Sequence, residues 1–122
     1  MGGYGSPEYL VSQEHNLGLL TLNAADATNR SKLYAAVKKK LTAAYCVITG
    51  AGTAAAAAFK ILNGTSSIGI ITIGTQTAGA IATAVLDSGA ASIAAGSVIN
   101  ITNTTSDTQG AGYVVLRWQD TF

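Results

Sequence analysis

The sequence predicts an all-β protein: two antiparallel sheets packed as a β-sandwich, a jelly roll of about eight strands or another Greek-key arrangement, behind an extended N-terminal arm. Three observations predict it. From Leu17 onward, short apolar and β-branched runs are broken by Gly, Asn, Asp, Ser and Thr, the pattern of many short strands. Several runs alternate with period two: Val114, Leu116 and Trp118 point one way, Tyr113, Val115 and Arg117 the other, and Phe59 and Ile61 oppose Lys60. Asn63-Gly64, between FKIL and SIGIITI, suits a type I′ turn and marks a hairpin.

The candidate strands, in order, are Leu17–Leu22, Lys32–Val37, Leu41–Thr49, Ala55–Leu62, Ser67–Gly74, Ala80–Leu86, Ser97–Thr102 and Gly112–Gln119. Asp87-Ser88-Gly89 and Asn103–Gly110 mark further turns or loops. The alanine run Ala54–Ala58 competes with this reading, because Ala is the strongest helix former. It follows Gly50, Gly52 and Thr53 without a cap and would give only about two helical turns, so a strand is expected. Ile68–Ile73 looks apolar on both faces. That fits a strand with one face on the opposite sheet and the other on a neighbouring chain.

Residues 1–16 differ in composition. They carry Pro7, Tyr4, Tyr9, Glu8, Glu14 and three of the 14 glycines, without helical or strand period. They read as an arm whose apolar residues could dock on a partner. Residues 17–122 form the β-sandwich domain.

Of 122 residues, 48% are hydrophobic and 11% charged, about half the usual charged share. Such a chain has a core of its own and too few charges to cover a surface, which points to faces covered by neighbouring subunits. A net charge of +1 gives no field for nucleic acid or an acidic membrane. Lys38, Lys39 and Lys40 read as a solvated turn or an edge strand. No basic segment precedes an apolar stretch near the N-terminus, and no apolar run is long enough to span a bilayer; synthesis in the cytoplasm is expected.

No reaction chemistry is legible. His15 is the sole histidine and lies in the expected arm; Cys46 is the sole cysteine and reads as a small core residue. Zinc sites draw on several such ligands. Glu8, Glu14, Asp26, Asp87, Asp107 and Asp120 are scattered, mostly at expected turns. Gly50-Ala51-Gly52 lacks the rest of a phosphate-loop or dinucleotide fingerprint. Asn-X-Ser/Thr triplets at Asn29, Asn63, Asn100 and Asn103 arise by chance in a Thr-rich β chain, and Asn63 is better explained by its turn than by glycosylation. Trp118 reads as core, leaving Tyr34, Tyr45 and Tyr113 as thin candidates for sugar stacking. The expectation is a non-enzymatic protein with no catalytic residue, metal or cofactor.

The segment from Tyr34 to Trp118 resembles small structural proteins of tailed bacteriophages. The resemblance rests on Val47–Thr53, an apolar strand ending in a Gly-Ala-Gly-Thr loop, on Lys60–Gly69, a hairpin around Asn-Gly-Thr, on the Thr/Ile-rich Ile70–Thr75, and on Asp87–Thr102. Proteins of this look include jelly-roll cement (decoration) proteins on phage heads and modules of tail fibres. The cement resemblance implies a homotrimer on the capsid surface of the virion, bridging subunits of the major capsid protein, with no nucleic-acid or membrane partner. A gripping arm is implied too, and composition singles out Tyr4, Tyr9, Leu10 and Val11 within it. The alternative is a tail-fibre or adsorption module that binds a host glycan or receptor.

Overall fold

The computed structural model describes residues 12–22, 31–87, 92–103 and 109–120, and within these the chain is all-β with no helix. The strands are β1 (Ser12–Thr21), β2 (Ser31–Tyr34), β3 (Lys39–Gly50), β4 (Ala58–Asn63), β5 (Ser66–Thr72), β6 (Ile81–Thr83), β7 (Val85–Leu86), β8 (Ser92–Ile93), β9 (Val98–Asn103) and β10 (Ala111–Asp120). They build two antiparallel sheets. Sheet A runs β1-β10-β3-β6, with β8 also on β3; sheet B runs β2-β9-β4-β5-β7.

The pairing follows a long ribbon folded at its middle. β4 and β5 form the hairpin, β3 pairs with β6 and β8, β2 with β9 and β1 with β10. Successive pairs of the ribbon fall in opposite sheets, which rolls it into two layers.

Alternation then decides which side chains meet. Val114, Leu116 and Trp118 of β10 are fully buried, as are Leu41, Ala44, Cys46 and Ile48 of β3. Across the gap they face Phe59, Ile61, Ile68, Ile71, Ile99 and Ile101 of sheet B in one continuous core. Lys60, Tyr113 and Arg117 point away from it, as the period-two pattern requires.

The hairpin lies where expected, but its turn is displaced by one residue. Asn63 remains in the ladder, opposite Ser66 on one side and Ile99 on the other. Gly64 takes the first central position with φ 63°, the positive φ that both type I′ and type II′ turns require there. The Asn100 side chain donates to the Gly64 carbonyl at 3.1 Å and so holds the turn against β9.

Several segments differ from the sequence reading. The strand expected over 55–62 begins at Ala58. Before it, Ala57 N–H closes a single turn on Ala54, and the Ala57 carbonyl accepts from both Ile73 and Gly74. The run Ala80–Leu86 is two strands: at Ala84, whose N–H donates to Ala44, the chain leaves sheet A as β6 and enters sheet B as β7. Finally, β1 includes residues 12–16, which composition assigns to the arm. Its polar residues pair with 115–119 through the backbone, which an edge position allows whatever the side chains. Lys39 and Lys40 open β3, an inner strand flanked by β10 and β8.

Candidate interaction surface

The outward face of sheet A is built by register. Tyr113 of β10 stands opposite Leu19 of β1 on one side and Val47 of β3 on the other, and Val47 stands opposite Ile81 of β6. These four form an apolar row across four strands, exposed at 41% for Tyr113, 53% for Leu19, 38% for Val47 and 62% for Ile81. The next row runs Asn16, Val115, Tyr45, Thr83, and the one beyond it Glu14, Arg117, Ala43.

A bulge in β1 makes the first row possible. Three residues of β1 advance from Asn16 to Leu19 while β10 advances two. Gly18 absorbs the extra residue at φ 83°, and its N–H donates to Asn16 Oδ1 at 2.8 Å. The shift turns Leu20 into the core and Leu19 outward.

The polar end is organised around Arg117. Its Nη2 and Nε donate to Glu14 Oε2 at 2.8 and 3.1 Å, and its guanidinium lies 5.5 Å from the centre of the Tyr45 ring. The hydrogen bond to Glu14 is the main cause that raises the Arg117 pKa above the ordinary guanidinium value. The ion pair is exposed and adds little stability; it fixes where the guanidinium sits. Between this end and the apolar row lies a shallow concavity of about 270 Å³, lined by Glu14, Tyr45, Val47, Ile81, Val115 and Arg117.

Comparison with known proteins places the chain in no group: no family model, curated protein or solved structure matches it.

The outward face of sheet B is less continuous. Tyr34 pairs with Val98 at one end, and Ile70 with Val85 beside Lys60 at the other. Asn100 and Leu62, themselves opposite each other, lie between the two pairs.

Among the described residues these surfaces offer contact area and the positioned Glu14–Arg117 ion pair. His15 is exposed on β1, in register with Leu116 and so on the opposite side of the strand from Glu14. Among the described residues no group of three His, Cys, Asp or Glu could hold a metal ion. Cys46 is fully buried and burial pushes its thiol up to about 11, far from the reactive thiolate range. Tyr4, Tyr9, Leu10 and Val11, the expected capsid-gripping residues, lie outside the described residues. The face itself was readable in part, since alternation in β10 already puts Tyr113 and Val115 outward. Its continuity was not, because it depends on registers among β1, β10, β3 and β6.

Proposed function

We propose that the chain is a virion structural protein, a cement protein that stabilises a phage head by bridging neighbouring capsid subunits. The observation that carries this reading is the exposure of large apolar side chains on both outward faces: Leu19, Val47, Ile81 and Tyr113 on sheet A, and Tyr34, Ile70, Val85 and Val98 on sheet B. A sandwich adhesive on two opposed faces can join subunits on either side of it. Contacts of about 1,600 Å² in total hold subunits firmly when their centres are apolar and well packed, and repetition over a symmetric shell multiplies the effect.

The strand order supports the finer reading of a jelly roll, because a ribbon rolled with successive pairs in opposite sheets is that architecture. The resemblance of Tyr34–Trp118 to small phage structural proteins supports the same conclusion.

Co-sedimentation of the purified chain with expanded heads of its virus tests the proposal. Saturable binding and a raised head-disruption temperature are expected; heads that neither bind the chain nor gain stability would remove it. The adsorption-module alternative has one observation in its favour, the Tyr45 ring beside Arg117 and Glu14. That guanidinium already lies against the ring, which competes with sugar stacking. A glycan array decides, with no binding expected.

A further inference from the structure

We infer that the outward face of sheet A is covered by the same face of a second copy, around a two-fold axis running along the strands between β10 and β3. The inference deepens the proposed function and rests on its reading of this face as an adhesive contact.

Self-complementarity is the argument. Such an axis lays β10 of one copy over β3 of the other, and β1 over β6. Tyr113 then meets Val47 of the second copy, Val115 meets Tyr45, and Leu19 meets Ile81, so every large apolar side chain of the face finds an apolar partner. The polar positions match as well. Asn16 falls opposite Thr83, and Arg117 falls opposite Ala43, the small residue that leaves room for a guanidinium. β6 ends at Thr83, so Glu14 stays at the rim in water, where an interface keeps its charges.

An axis across the strands does the reverse. It presses the Glu14–Arg117 pair onto Leu19 and Tyr113, desolvating both charges without a new partner. Three strands about 4.8 Å apart and about ten residues long at about 3.4 Å each, with the three-residue β6 at the edge, make a face of roughly 540 Å². That is smaller than the roughly 800 Å² per partner of a standard stable interface, so the pairing rests on the match of side chains and not on area. Stacked sheets tolerate the approximately 30° misalignment that strand twist imposes. A closed ring of three needs two different patches that fit each other. This face fits itself, so the geometry points to a pair in place of the trimer that the resemblance implies.

Sedimentation equilibrium of the full chain tests the pairing, with Val47→Lys, Tyr113→Glu and their equimolar mixture. Both positions are exposed and point outward, and far-UV circular dichroism checks that each variant folds; Ile81→Glu, on the short edge strand, is a further disrupting variant. The wild-type chain is expected to dimerise with Kd near or below about 1 μM, and each single variant to bind itself at least ~100-fold more weakly. The mixture should recover dimer, because one of its two Tyr113–Val47 contacts becomes Glu–Lys and the other remains native. A wild-type monomer at ~50 μM, a trimer, or a mixture that stays monomeric would overturn the pairing. Head binding, measured in parallel, is a separate readout. Monomers that decorate heads sink only the pairing; dimers that ignore heads sink only the cement reading.

Discussion

A side chain on Gly112 has nowhere to go. A Cβ there would overlap the sulfur of Cys46 and stand 2.7 Å from the Val47 carbonyl oxygen, where β10 lies against β3. Gly112→Ala is expected to destabilise the fold by about 2–3 kcal/mol in chemical denaturation. Adding Cys46→Ala should recover only part of the loss, since the Val47 carbonyl belongs to the backbone and cannot move aside. Cys46 also makes stability depend on pH. Its thiol ionises near 9.0 when unfolded and at about 11 when buried, so the unfolded state loses the proton first. The contribution is whole below pH 9.0 and is lost as pH rises to about 11, at about 1.4 kcal/mol per unit. The difference between wild-type and Cys46→Ala denaturation profiles should show that decline, because lysine and tyrosine ionisation is common to both. At the turn, Gly64 has open space around it but a φ of 63°, so Gly64→Val should cost about 1–2 kcal/mol through backbone strain alone.

Individual strands were legible in proportion to how many neighbours they have. β10, between β1 and β3, needs a clean inward face, and Val114, Leu116 and Trp118 announce it. β5, β4 and β9 are as clear for the same reason. β1 hides its first half, because an edge strand is held by one ladder and SQEHN has no inward apolar residue to reveal it. β8 is two residues long and leaves no periodic trace. The run Ala80–Leu86 conceals a change of sheet at Ala84, since no Gly, Pro, Asn or Asp interrupts it there. The boundary of β1 sharpens the test of the arm. Removing residues 1–11 spares every described strand and should weaken head binding, if Tyr4, Tyr9, Leu10 and Val11 grip the shell. Removing residues 1–16 also strips half of an edge strand, and should lower thermal stability in the same assay.

At the level of the whole molecule, most ladders join distant parts of the chain: β1 closes on β10 and β2 on β9. Among the described strands only β4 and β5 form a local hairpin. Long loops must therefore close before most pairings reward them, and refolding is expected to take milliseconds to seconds. Trp118, the single tryptophan and wholly buried, gives the fluorescence signal for a stopped-flow measurement. Microsecond refolding would contradict this topology. The two-layer architecture was predictable from strand number and period, whereas the adhesive face emerges only when four strands from remote stretches of sequence lie side by side.

One pairing has a practical consequence. Ser12 and Gln119 are direct neighbours across the β1–β10 ladder, with Cα atoms about 5 Å apart. A peptide joined directly to Ser12 and another joined directly to Asp120 therefore share a point of departure on one rim of sheet A. Cargo tethered at that rim is carried in pairs.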